Sequence, residues 1–215
     1  MSSLAPTTVI ICRVSDALRR QRFEERAARG RRHRVHIDGA VSTASCRVRM
    51  HADGPIAVKE WPTDWDERRR GKDCPMCAEG RPDDNGFGPR IFVGQYTDAY
   101  LQRRDVGQPG YTIAIWRGRH VADPTGLSEA EARQYFDEVL RVGRAIETHY
   151  RPIKMNFDIL GNTVPHLHTH ILPRYHGDGS PMAPSRLMRG EVTDQREIPD
   201  EAITRDAAAL RALLA

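Results

Sequence analysis

Apolar and polar positions fall into regular order from about Val58 onward. RIFVGQYTDAYLQ, residues 90–102, alternates and reads as a strand and a turn, with a second strand after the turn left open. After a turn at Gly107–Gly110, YTIAIW at 111–116 predicts a further strand. Ser128 and Glu131 have the spacing of a capping box. Ala132, Tyr135, Val139, Val142 and Ile146 follow at helical spacing, so a helix with one buried face should run to about Tyr150 and end at Pro152. KMNFDIL, 154–160, and HLHTHIL, 166–172, predict two strands joined across Gly161-Asn162, and so short a connection makes them antiparallel neighbours. A last amphipathic helix is expected from Asp200 to Leu214. The order strand, strand, long helix, strand, strand implies an α+β fold: an antiparallel sheet packed on one principal helix.

Residues 1–55 lack a sustained apolar period and hold much of the basic excess, including Arg19, Arg20, Arg22, Arg26, Arg29, Arg31, Arg32 and Arg34. They read as an irregular, Arg-rich extension; Arg13 to Arg34 has the polarity of a charged helix with a thin apolar face. Met50 is an alternative natural start, which would make the preceding residues an upstream extension. The expected organisation is this extension over 1–55, one catalytic domain over 56–180, and a tail with a short helix over 181–215.

The chain has 215 residues, a net charge of +4 and 39% hydrophobic residues, with a mean hydropathy of −0.60. No apolar run approaches the roughly 20 residues that cross a bilayer. TTVIIC near the start is too short, and lacks the preceding positive charge, for a signal-peptide core. A cytoplasmic protein without membrane contact is expected. The Arg-rich segment has a single aromatic, Phe23, and no interleaved series of them, which argues against nucleic-acid binding. Of the four cysteines, Cys12, Cys46, Cys74 and Cys77, only Cys74-Pro-Met-Cys77 has metal-ligand spacing. A disulfide framework is not expected in the cytoplasm.

GNTVPHLHTHILPRY, 161–175, carries the most informative pattern. Strand alternation puts His166, His168 and His170 on one face and Leu167, Thr169 and Ile171 on the other, towards core and helix. Imidazoles at the first and third positions of that series stand roughly 13 Å apart by strand rise, so all three cannot hold one ion. An anion site fits better. A neutral imidazole is a good nucleophile near pH 7. An attacked phosphorus needs donors for its non-bridging oxygens, and Asn162 and Thr163 in the preceding turn, with Asn156 on the paired strand, are placed to supply them.

PHLHTHILPR resembles the signature of the histidine-triad (HIT) superfamily, in its zinc-containing bacterial form, and the likeness extends over about residues 58–175. Members are nucleotidyl hydrolases and transferases acting at the α-phosphate of nucleotides, usually as homodimers whose sheet continues across both subunits. The resemblance implies that His168 is the nucleophile, forming a nucleotidyl-histidine that water hydrolyses, and that His170 contacts the phosphate or leaving group. Asn156 would orient the α-phosphate or the leaving side, and Asn162 and Thr163 would bond phosphate oxygens. Thr169 departs from the usual apolar residue. Transferase and phosphorylase members tend to carry Gln where His170 stands, which favours hydrolysis of a dinucleoside polyphosphate or nucleoside phosphoramidate. A transferase or phosphorylase on the same fold, and a nucleotide-binding protein that does not turn over, are the alternatives.

The resemblance also supplies partners for the CxxC pair. Cys74, Cys77, His120 and His166 would form a closed structural zinc site with no position open for substrate. The nucleoside pocket is expected near Ile91, Phe92 and Val93 and the stretch Gln102 to Asp105. There Asp105 either binds ribose hydroxyls or makes a turn. Trp116 is expected in the core rather than against a base.

Overall fold

The computed structural model describes residues 61–179, 182–192 and 195–215, all within one compact unit, Glu60–Ala215. The Arg-rich extension, its charged helix and the Met50 start lie outside the described residues.

Two short helices come first, α1 (Trp65–Arg69) and α2 (Pro75–Ala78). Strands β1 (Arg90–Val93), β2 (Thr97–Leu101), β3 (Arg104–Asp105) and β4 (Thr112–Trp116) follow, then the long helix α3 (Glu129–Tyr150). Strands β5 (Lys154–Asp158), β6 (His168–Arg174) and β7 (Arg196–Glu197) lead to α4 (Asp200–Leu214). Five strands form one antiparallel sheet in the order β1-β2-β4-β6-β5. The expected α+β architecture is therefore present. One addition is the small β3–β7 ribbon, whose two-residue strands leave no period to read in sequence.

Helix α3 begins as the capping box predicts. Ser128 Oγ accepts from the Glu131 N–H at 3.3 Å, and Glu131 returns a carboxylate oxygen to the Ser128 N–H at 2.8 Å. It ends at Arg151, in the left-handed region at φ 51°, because the following Pro152 disfavours another α-helical residue. Tyr135, Val139, Val142, Ala145 and Ile146 pack on Ala99, Leu101, Ala114, Trp116, Leu167 and Ile171. Helix α4 completes this side with Ile203, Ala207, Leu210 and Leu214. Trp116 is in the core, stacked on Tyr96 at 4.8 Å.

A carboxylate interrupts the buried face of α3. Glu138 accepts from the amides of Gln95 and Tyr96 at 2.7 and 3.1 Å, closing the β1–β2 turn, and from the Gln134 amide at 2.9 Å. Ala at this position would leave two backbone donors without an acceptor. Glu138→Ala is expected to cost about 2–4 kcal/mol in urea unfolding, and a loss under about 1 kcal/mol would show that water replaces the carboxylate.

The opposite sheet face carries Tyr100, Ile113 and Ile115 under Met76 and Phe87. Beside them Tyr111 and Leu172 pack with Val106, Leu187, Met188 and Val192. Helix α2 is tied to this face by charge. Asp98, fully buried on β2, accepts from Arg81 at 2.6 Å and from Arg117 at 3.0 Å. Arg117 in turn donates to the Met76 carbonyl at 2.9 Å and to Glu79 at 3.0 Å. Both ions of the pair have partners, as burial requires.

Candidate functional site

The segment between β5 and β6 delivers the histidines. Leu167 donates its N–H to Val121 at 2.6 Å and accepts from Trp116 at 3.0 Å. Pairing with β4 then sets His168 opposite Ile115 and His170 opposite Ile113, while Asp158 of β5 also faces His170. Alternation holds for the partners: Leu167 and Ile171 are fully buried in the core on the helix side. Thr169 shares a 2.7 Å hydrogen bond with the Tyr135 hydroxyl, so the polar departure is satisfied by α3. His166 does not lie within the strand as expected. It precedes it, and its ring goes to the cysteines rather than to the other two imidazoles.

His168 is buried, and its Nδ1 stands 2.6 Å from the His166 carbonyl. A carbonyl only accepts, so Nδ1 carries the proton and Nε2 presents a lone pair. Burial lowers the His168 pKa below its ordinary value, which keeps the ring neutral at pH 7. His170 lies at right angles to it, ring centroids 4.8 Å apart. Burial, with the neighbouring His168, brings His170 down to about 4. Its Nδ1 is 2.7 Å from the Tyr111 hydroxyl. Burial raises the Tyr111 phenol well above the usual range, so it too is neutral.

Asn156 reaches the same sheet face, opposite Leu172. Its Oδ1 accepts from Arg174 at 3.0 Å, which orients the amide and assigns its NH₂ as the donor end. Asn162 and Thr163 are exposed on the β5–β6 connection. Thr163 borders a hollow of about 300 Å³ with Arg68, Lys72 and Cys74. Asp105 is exposed on β3 and accepts from the Gly107 N–H at 2.8 Å, so it makes a turn. No hydrogen bond joins it to the triad among the described residues.

The expected apolar pocket wall is corrected. Ile91 and Phe92 are in the core beneath the helices and Val93 is exposed, because a bulge between Arg90 and Phe92 turns both apolar side chains inward. The triad face instead presents Ile113 and Ile115, with Phe87 set edge-on to Tyr111 at 5.3 Å. Tyr111, Phe87 and Asp158 were not singled out from sequence. The only signal for Tyr111 was its place at the start of YTIAIW; the cross-strand register that brings it to His170 has no sequence signature.

The cysteine knuckle assembles as the resemblance implies. One ligand atom from each of Cys74, Cys77, His120 and His166 lies within 4.8 Å of the others. Nδ1 of His166 is 3.4 Å from both sulfurs, and Nδ1 of His120 is 3.4 Å from Cys77 Sγ. Tetrahedral zinc bonds of ordinary length give a sulfur–nitrogen edge of about 3.5 Å, so the set has the right size. The tautomers agree as well. Nε2 of His166 faces the Trp116 carbonyl at 2.8 Å, and Nε2 of His120 faces the Arg69 carbonyl at 3.2 Å. Both nitrogens must carry protons, which leaves both Nδ1 lone pairs for an ion. Gly71, at φ +96°, is needed here: a Cβ would lie 2.9 Å from His120 Cγ. Burial and the adjacent Cys74 push the Cys77 thiol up to about 11.

Residues 93–177 match the family model described as the HIT domain. These residues form a HIT domain. Over 96 residues it is 31% identical to the Hit protein of Bacillus subtilis, covering 42% of this chain and 65% of that one. Over 90 residues it is 30% identical to bis(5'-adenosyl)-triphosphatase of Saccharomyces cerevisiae, covering 40% of this chain and 43% of the enzyme. The match thus spans less than two thirds of either relative's length. Among solved structures, a histidine triad protein of Bradyrhizobium japonicum superposes with a TM-score of 0.53 at 23% identity, over 60% of this chain and 92% of that one. One from Marinobacter aquaeolei gives 0.52 at 23%, over 60% and 89%. These likenesses establish the HIT fold.

Proposed function

We propose that this HIT protein is a nucleotide hydrolase that attacks the α-phosphate of a dinucleoside polyphosphate or nucleoside phosphoramidate through His168. The observation that carries the reading is the bare Nε2 of His168, fixed by the 2.6 Å bond from Nδ1–H to the His166 carbonyl, beside a second neutral imidazole. Similarity to a yeast enzyme named for bis(5'-adenosyl) triphosphate supports that substrate class. In this reading Asn156, Asn162 and Thr163 donate to phosphate oxygens. We assign no substrate contact to Asp105, whose carboxylate closes its own turn.

Cys74, Cys77, His120 and His166 would hold zinc. The ion would supply cross-linking, joining the knuckle, the loop after β4 and the approach to β6, with no position open to substrate. No helix among the described residues is long and apolar enough to cross a membrane. Work in the reducing cytoplasm suits thiolate ligands.

The test is product chromatography after incubation with diadenosine triphosphate, diadenosine tetraphosphate and an adenosine phosphoramidate. Release of AMP in water alone supports the hydrolase. Turnover only with added inorganic phosphate would instead make it a phosphorylase. Stabilisation by nucleotide without product would make it a binder.

We further propose a homodimer formed through β5. That strand is the sheet edge opposite β1; it carries half-exposed Phe157, with half-exposed Leu160 just beyond its end, and α3 presents half-exposed Phe136 and Leu140. The β1 edge, by contrast, is covered by α4, where Arg211 donates to the Arg90 carbonyl. Continuation of the sheet across β5 would bury the apolar side chains and pair the edge. Phe157→Asp is expected to shift the mass measured by light scattering from dimer to monomer; a wild-type monomer at high micromolar concentration would sink the idea.

A further inference from the structure

The tautomer of His168 follows from a carbonyl, which can only accept. His170 has no such partner; its Nδ1 meets a hydroxyl, and a hydroxyl can play either part. The surroundings of Tyr111 decide between the two. Its side chain is 5% exposed, wedged among Val106, Leu172 and Phe87. The hydroxyl has one proton to place, and among the described residues its single hydrogen-bond partner is His170 Nδ1, at 2.7 Å. Were Nδ1 the donor, the phenolic proton would be left in a buried site with no acceptor, which costs the desolvation of that group with nothing in return. With the hydroxyl donating, every proton is used. Nδ1 then holds the lone pair, and the ring proton must sit on Nε2.

We propose that Tyr111 is a positioning residue that fixes His170 as the Nε2–H tautomer, making it the hydrogen-bond donor to the leaving group. The two imidazoles then carry opposite tautomers on one sheet face. His168 offers a lone pair at Nε2 and His170 offers a proton at Nε2, with the rings perpendicular and their centroids 4.8 Å apart. The inference rests on the hydrolase reading above. In the attack, the His168 Nε2 lone pair forms the bond to phosphorus. The bond from phosphorus to the leaving oxygen breaks, and its electron pair stays on that oxygen. The positive charge gained by the His168 ring balances the negative charge released, so no proton transfer is required. His170 Nε2–H donates to the leaving oxygen as its charge grows, where a donor counts more than in the ground state.

Two measurements test the proposal together, on the wild type and on Tyr111→Phe, which keeps the ring packed on Phe87. The first is the tautomer of His170, read by long-range proton–nitrogen correlation on ¹⁵N-histidine-labelled protein without substrate. Wild type is expected to show Nε2–H alone, and the variant a mixture of tautomers. The second is the rate on adenosine 5'-phosphate aryl esters graded from 4-nitrophenol to phenol. The variant is expected to lose about 10-fold or more in kcat for the poorest leaving group and about 2-fold for the best, with KM little changed. A proton on Nδ1 in the wild type overturns the assignment. An equal loss across all leaving groups overturns the role, since it would mark general damage to the fold. If the wild type cleaves none of the esters, nor the natural-type nucleotides, the hydrolase reading fails along with the leaving-group role, while the tautomer spectrum still decides whether Tyr111 sets the His170 proton.

Discussion

His168→Ala is expected to abolish turnover, lowering kcat by at least about 10⁴-fold while leaving nucleotide binding within about threefold of wild type. Nε2 of His168 is the only lone pair in the triad free to attack. The corresponding lone pair of His166 faces two sulfurs, and His170 receives Tyr111 on its lone-pair nitrogen in the arrangement argued above. The triad offers no second nucleophile, so the loss should not be shared out. Removing the imidazole should leave the fold intact, because the backbone of β6 is held by β4 and β5 and the core side of the strand by Leu167, Thr169 and Ile171. Rapid quenching of wild type with α-³²P-labelled substrate should trap label in an acid-labile bond to protein, and the variant should trap none. Residual activity in His168→Ala above about one part in a thousand would show that water attacks directly and that the covalent route is wrong.

The second large effect concerns the knuckle. Cys74→Ala is expected to lose bound zinc and to destabilise the protein on the order of 4 kcal/mol, seen as a fall in Tm of about 10 °C. Cys74 is buried, so its loss removes packed volume as well as a ligand. The larger part of the effect should come from the ion, since it would cross-link Cys77 to His166, 89 positions on, through metal–ligand bonds rather than a single hydrogen bond. Prolonged chelation of the wild type should therefore lower Tm by a comparable amount without any substitution, and metal analysis should return one zinc per chain before treatment and none after. A wild type that is purified free of metal, with a Tm unmoved by either chelator or added zinc, would remove the structural ion from the account.

Much of this could be read in one dimension because its signals are local. The capping box at Ser128, the helical spacing of Tyr135, Val139, Val142 and Ile146, and the last helix over Asp200–Leu214 depend on residues a few positions apart, and each appears where its pattern predicts. The alternation of His168 and His170 against Leu167, Thr169 and Ile171 is local too, and it separated the chemical face from the core face before any partner strand was known. The cysteine spacing marked Cys74 and Cys77, while His120 and His166 joined them through the family resemblance rather than through any property of the spacing.

Register and tautomer were not legible, because each depends on which atoms long-range pairing brings within 3 Å. YTIAIW reads as a strand from its own composition, yet nothing in it states that Tyr111 will meet His170, 59 positions away. A one-residue slip between β4 and β6 would have turned every side chain of β6 to the other face. Similarly, Ile91 and Phe92 look available for a pocket until a bulge in β1 turns both into the core. The residue types in the chain therefore specified the elements and the kind of chemistry, since these follow from periodicity and from what an imidazole or a thiol can do. Which nitrogen carries each proton, and hence the roles proposed for the two histidines, depends on the carbonyl of His166 and the hydroxyl of Tyr111, partners that only the folded sheet and its incoming loop bring into contact.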